Sequence, residues 1–156
     1  MRFFLVDRVD ELVPGKSITG VKAVTLTDEI MHDHFPGQPL FPGTLMLEAL
    51  AQLGGFLVDV SHQGDPDQRA VLAQIDRARF SHPARPGDVL SLRCELSSVL
   101  GGAAQVEGRM TLGEQKVASA LLTFVMKNVE STRIHEQRRE LYSLWTRHLQ
   151  LGFAIR

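Results

Sequence analysis

Apolar residues are distributed in three ways along this chain, and each distribution predicts its own kind of element. From residue 70 onward the texture is that of β-structure. Residues 70–80, 88–100, 103–112 and 116–129 each read as a strand of useful length. The stretch 83–87 (PARPG), Gly101-Gly102 and Gly113-Glu114 separate them, and the last two are hairpin-type turns. Links that short force antiparallel neighbours. Two earlier strands are predicted at 3–8 and from 17 to about 27, with Pro14-Gly15 turning between them.

The second distribution covers 44–60, which is apolar almost all round and so predicts a buried helix rather than a surface one. Gly54-Gly55 weakens that helix by about 1 kcal/mol per glycine relative to alanine, which implies that something packs closely there. Ahead of it, residues 32–43 (HDHFPGQPLFPG) hold Pro36, Pro39 and Pro42 with Gly37 and Gly43. No regular helix or central strand tolerates that composition, so this is a shaped loop. Residues 61–68 form a polar loop. The third distribution follows Asn128, where Ile134, Leu141, Leu144, Trp145, His148 and Leu149 recur at helical spacing. It predicts a terminal helix over about 133–149, with Ser131 or Thr132 as N-cap.

The architecture is therefore α+β: a curved antiparallel sheet wrapped around a central buried helix (about 44–60), plus a C-terminal helix (about 133–149). A helix apolar on nearly every side needs cover on nearly every side, and a strongly curved sheet supplies it.

Composition narrows the function classes. At 156 residues the chain is long enough for one domain and hardly two. A formal net charge of −1 argues against a nucleic-acid-binding domain driven by overall basicity. No uninterrupted apolar run reaches the roughly 18 residues of a membrane span. The N-terminal apolar stretch breaks after four residues, too soon for a signal peptide. The single cysteine, Cys94, excludes an intrachain disulfide framework. These features imply a cytoplasmic protein. Residues 131–156 are basic on balance, which suits a solvated helix face or an acidic partner.

Candidate chemistry centres on Glu48. It lies one turn into the apolar helix, and its helical neighbours Thr44, Leu45, Ala51 and Gln52 include no cation. A carboxylate desolvated without a partner is costly and seldom adds stability, so it calls for a functional reason. The competing reading places Glu48 at the helix edge, facing solvent. His34 sits fourteen residues earlier in the rigid loop, and a histidine near a carboxyl makes an acid/base pair. Gly43 opens the helix, where an unpaired backbone N–H at the positive end of the dipole can polarise a carbonyl. Base, acid and oxyanion donor together fit proton abstraction beside a carbonyl, with elimination or addition at the neighbouring carbon.

The run 34–52, HFPGQPLFPGTLMLEALAQ, resembles the signature of the 3-hydroxyacyl-[acyl-carrier-protein] dehydratases of type II fatty-acid synthesis, with the general dehydratase branch favoured by glutamate at position 48. Residues 4–9 (FLVDRV), 75–80 (IDRARF), Pro83 and Pro86-Gly87-Asp88 extend the likeness over roughly 3–128. The resemblance implies the hot-dog fold over 1–130, with 131–156 as a C-terminal helical extension. It implies dehydration of a (3R)-3-hydroxyacyl thioester to the trans-2-enoyl product, in fatty-acid or related lipid or polyketide synthesis. His34 would take the α-proton, Glu48 would protonate the leaving hydroxyl and Gly43 would hold the carbonyl. Gln52 would orient Glu48, and Thr44, Phe35 and Phe41 would border the substrate. The family needs no metal or organic cofactor. Its partner is an acyl carrier protein bearing a phosphopantetheine-linked chain, and its members form homodimers, often trimers of dimers, with the histidine and glutamate contributed by different subunits.

Four features depart from that pattern. Asp33 replaces the common glycine before the histidine, and an anion there favours the imidazolium over the neutral base. Thr44 replaces the common valine, the usual segment before the first strand is missing, and the helix beyond Asn128 is extra. They suggest a side branch of the family. Other signals carry less. His32, His34, His62 and His82 are too irregularly spaced for a zinc site. Cys94 suits a buried small side chain, and Phe35 and Phe41 suit a tunnel wall or a core equally. Arg77 and Arg79 suit a solvated strand face or a docking surface for the carrier. Trp145 and Leu149 suit packing of the terminal helix on the sheet, or closure over a second subunit. Two alternatives to the dehydratase stand beside it: a hot-dog acyl thioesterase, and a non-catalytic acyl-thioester-binding module.

Overall fold

A computed structural model describes residues 3–155. Its strands are β1 (Arg8–Val13), β2 (Ser17–Ala23), β3 (Gln68–Phe80), β4 (Val89–Leu100), β5 (Ala103–Leu112) and β6 (Gln115–Asn128). Its helices are α1 (Ile30–Asp33), α2 (Gly43–Ser61) and α3 (Thr132–Trp145). The strands form one antiparallel sheet in the order β1-β2-β4-β5-β6-β3, packed on α2.

Alternation decides which side chains meet α2. Leu90, Leu92 and Cys94 on β4, Val106 and Met110 on β5, and Leu122 and Phe124 on β6 are buried against Leu50, Leu53, Phe56 and Leu57. Each wholly buried leucine contributes about 2 kcal/mol relative to exposure. The glycine pair in α2 sits close against the sheet. A Cβ on Gly54 would lie 3.3 Å from Val106 Cγ1, and one on Gly55 3.4 Å from the Phe124 ring. By length and composition α2 could cross a membrane, but more than half of its apolar window is buried as a core helix.

Several expectations need correction. The first strand is Arg8–Val13, not 3–8. Leu5 and Val6 bury their side chains in the core, so apolarity there reflects packing rather than strand pairing. β2 ends at Ala23, because Thr25 and Asp28 close a turn. The loop after it contains the short helix α1. α2 is not covered all round: Thr44 and Glu48 are exposed, while Leu45, Leu47 and Gln52 are partly so. α3 stops at Trp145 because the Thr146 hydroxyl and N–H both turn back onto Tyr142 O. Ser131 occupies the N-cap position without a side-chain bond. Trp145 packs beside Phe56 of α2, with ring centroids 6.1 Å apart, while α3 also meets the sheet at β1. Arg77 interrupts the strand alternation: it takes a φ of 51° where the β3–β6 register slips between Asp76 and Arg79.

α3 docks on the C-terminal half of α2. Tyr142 stacks on Phe56 at 3.8 Å, and its hydroxyl donates to Asp59 Oδ2 at 2.6 Å. Arg138 donates to the same oxygen at 2.8 Å, and the Ala70 N–H donates to Asp59 Oδ1 at 2.6 Å. Burial, followed by the Asp59 charge, holds the Tyr142 phenol well above its ordinary range.

Candidate active site

The loop before α2 is built to fix one imidazole. α1 is anchored by the buried Met31, and His34 follows at its end, donating N–H to Ile30 O. Phe35 and Gln38 exchange backbone bonds of 3.1 and 2.9 Å across a tight turn, with Gly37 in the left-handed region at φ 73°. Leu40 then returns to His34: its N–H donates to His34 O at 2.7 Å, and its carbonyl lies 2.9 Å from His34 Nδ1. A carbonyl can only accept, so Nδ1 carries a proton, and the neutral form of the ring has its lone pair on Nε2. Phe41, 3% exposed, anchors the far end through its N–H to Ala84 O.

Pro42 fixes the entry into α2. Leu45 and Met46 N–H donate to Pro42 O, while the N–H groups of Gly43 and Thr44 have no acceptor within the helix. Gly43 and Thr44 line a groove of about 530 Å³ together with His34, Phe41, Phe80 and His82. Glycine at 43 lets the Phe80 ring lie close: a Cβ there would meet it at 2.8 Å, and the half-exposed ring would have to shift. Phe35 is exposed and stacks on the imidazole at 4.2 Å.

Glu48 and Gln52 lie outside that groove. Glu48 is exposed, so its expected desolvation does not occur within one chain. The reason is the uncovered stripe of α2: the sheet reaches Met46, Ala49, Leu50 and Leu53 but leaves Thr44 and Glu48 bare. Gln52 Nε2 donates to Glu48 Oε1 at 3.0 Å, as expected from their one-turn spacing. Asp33 is exposed, and among the described residues it forms no ion pair with His34. One chain thus gathers His34, Phe41, Gly43 and Thr44 at a single groove, with Phe35 beside the imidazole; Glu48, one turn beyond Thr44 on α2, and Gln52 do not line it.

Sequence reasoning missed Phe80 and His82. They reach the groove because β3 ends there, a long-range placement with no local signal. The segment before β1 was also missed as a partner of Gln52: the Leu5 N–H donates to Gln52 Oε1 at 2.9 Å, and Gln52 Nε2 donates to Phe3 O at 3.0 Å. Among the described residues, no group of three or more His, Cys, Asp or Glu is arranged to hold a metal.

Comparison with known proteins gives the family and the fold. A FabA-like domain model matches residues 1–121, ending before α3. A 3-hydroxyacyl-[acyl-carrier-protein] dehydratase FabZ from Clostridium acetobutylicum is 41% identical over 122 residues, covering 78% of this chain and 86% of the relative. Its counterpart from Levilactobacillus brevis is 43% identical over 121 residues, covering 78% and 81%. Among solved structures, a hot-dog-like protein from Thermanaerovibrio acidaminovorans superposes with a TM-score of 0.63 at 19% identity, over 90% of this chain and 96% of that one. The smu.793 protein of Streptococcus mutans, bound to acetyl CoA, gives 0.64 at 19%, over 84% and 96%. At that identity the likeness establishes the hot-dog fold.

Proposed function

The chain belongs to the FabA-like domain family, and from that premise we propose that it completes its active site with a histidine and a glutamate from two copies of itself. Its reaction is dehydration of a 3-hydroxyacyl-[acyl-carrier-protein] in fatty-acid synthesis, the activity its relatives carry in their names.

His34 Nε2 takes the α-proton of the thioester. The freed C–H electrons form the double bond to the β-carbon as the C–O bond breaks, and Glu48 protonates the departing hydroxyl to give water and the trans-2-enoyl chain. Charge gathering on the thioester oxygen meets the Gly43 N–H at the positive end of α2. Thr44, Phe41 and Phe35 border the chain delivered on the carrier's phosphopantetheine arm.

The division between copies rests on one observation. The imidazole sits in a groove that Glu48 does not line, while Glu48 stands exposed on the uncovered stripe of α2. A second copy seated on that stripe supplies the missing acid and desolvates it. A homodimer is the smallest assembly that does this, and a trimer of dimers repeats it.

Mixing subunits tests the proposal. His34→Ala and Glu48→Gln proteins are each inactive alone. Refolded together, they regain about a quarter of wild-type turnover, because half the dimers are mixed and each mixed dimer holds one intact site. No recovery after verified mixing would place both groups in one chain. Enoyl thioester hydration is followed by absorbance, with a thiol probe alongside; thiol release without hydration would instead favour a thioesterase.

A further inference from the structure

We infer that residues 3–5, the extended segment ahead of β1, belong to the acid's machinery: through Gln52 they fix which oxygen of Glu48 carries the proton. This rests on Glu48 acting as the acid in the reading above.

Gln52 has two opposed duties on its amide. Its Oε1 accepts from Leu5 N–H at 2.9 Å, and its Nε2 donates to Phe3 O at 3.0 Å and to Glu48 Oε1 at 3.0 Å. The Leu5 N–H can only donate and the Phe3 carbonyl can only accept, so the two backbone groups leave the amide one orientation. Turned over, the amide would set oxygen against oxygen and N–H against N–H. It would also present its acceptor to Glu48. The segment, not the helix, therefore forces an N–H toward the carboxyl.

That N–H engages Glu48 Oε1 as an acceptor, the role of the carbonyl oxygen in a protonated acid. The proton then sits on Oε2, which has no partner among the described residues and is the oxygen left for substrate. In the elimination, the Oε2–H bond breaks, its proton goes to the departing hydroxyl, and the carboxylate keeps the electron pair. Gln52 and the segment touch no substrate atom in this scheme; they are positioning groups. The segment is stiff enough for that task because Leu5 and Val6 are 5% and 2% exposed, whereas Phe3 and Phe4 are half-exposed and bear little of the core.

The test removes the clasp without touching Glu48. Deleting residues 1–4 behind a new initiator methionine eliminates the Phe3 carbonyl. Gln52→Met keeps the side chain's bulk and removes all three bonds. Each change is expected to lower kcat about tenfold, equivalent to ~1.4 kcal/mol, with KM within about twofold. Combined, they lower kcat less than about twofold further, because they break one device. Leu5→Pro, which removes the donor to Gln52, reproduces the loss and serves if the deletion fails to fold. Wild-type kcat in the deletion protein, or losses that multiply when combined, would overturn the inference while leaving the acid assignment standing. Full turnover by Glu48→Gln would overturn both.

Discussion

The two ends of α2 each carry a carboxylate, and they are treated in opposite ways. Asp59, near the C-terminal end, has a side chain 7% exposed and accepts from Ala70 N–H, Arg138 and Tyr142. Both its oxygens are occupied. Glu48, near the N-terminal end, is exposed, receives one bond from Gln52 and keeps Oε2 open. A buried carboxylate must be saturated to be tolerated, and once saturated it has nothing left to give a substrate. A carboxylate meant for proton transfer must keep one oxygen unspent. One helix thus separates a saturated anion from one with an open oxygen by eleven residues, the first closed by α3 and the second, in the proposed reaction, left for a second copy.

The same chemical change at each end gives the sharpest contrast. Glu48→Gln should lower kcat by roughly 10³-fold while changing stability by less than about 0.5 kcal/mol. Asp59→Asn should lower stability by about 2 kcal/mol, since it leaves Arg138, 33% exposed, facing a neutral group and weakens the bond from the buried Tyr142. Its folded fraction should turn over at the wild-type rate. Steady-state kinetics beside denaturant unfolding reads both, and a catalytic defect in Asp59→Asn that exceeds its unfolded fraction would erase the distinction.

Tyr142→Phe removes one hydrogen bond to a charged group and should lower stability by about 1.5 kcal/mol at pH 8. It also tests a pH dependence. Burial and Asp59 raise the folded Tyr142 pKa above the unfolded value of about 10. The unfolded phenol therefore ionises first. Stability held by Tyr142 is complete below about pH 10 and declines as pH rises toward the folded value. The difference in unfolding free energy between wild type and Tyr142→Phe should shrink over that alkaline range; a constant difference would contradict the assigned cause.

The smallest effect concerns Cys94, beneath the middle of α2, whose thiol reaches toward Leu50 O at 3.5 Å. Burial pushes it up to about 12, so thiol reagents at pH 8 should label it only through opening of the fold. Asp59→Asn should speed labelling, and Glu48→Gln should leave it near the wild-type rate.

Much of this was legible in the chain. Strand β5 matched its expected bounds, and α2 came within a residue at each end, because Gly101-Gly102 and Pro42 are local punctuation. His34, Gly43 and Thr44 were legible together, since one rigid loop delivers them to one groove. The state of Glu48 was not. Apolar neighbours in sequence suggested burial, but Leu45 and Leu47 are themselves only partly covered on the face the sheet does not reach. The segment 3–5 was misread for a related reason: its apolar residues pack on the core while its backbone bonds a glutamine 47 to 49 positions away. Such partners are set by tertiary approach, and no local period records them.

The Asp59 cluster also imposes an order on the birth of the molecule. Arg138 follows Asp59 by 79 positions, and Tyr142 by 83. As the chain leaves the ribosome, α2 and every strand of the sheet are present before either partner emerges. Until then Asp59 has only the Ala70 N–H, and Phe56 lacks the ring that will cover it. Synthesis halted before α3 would leave a sheet-and-helix body with a half-satisfied anion and an apolar seam beside it. The helix made after the sheet is thus the seal over that seam.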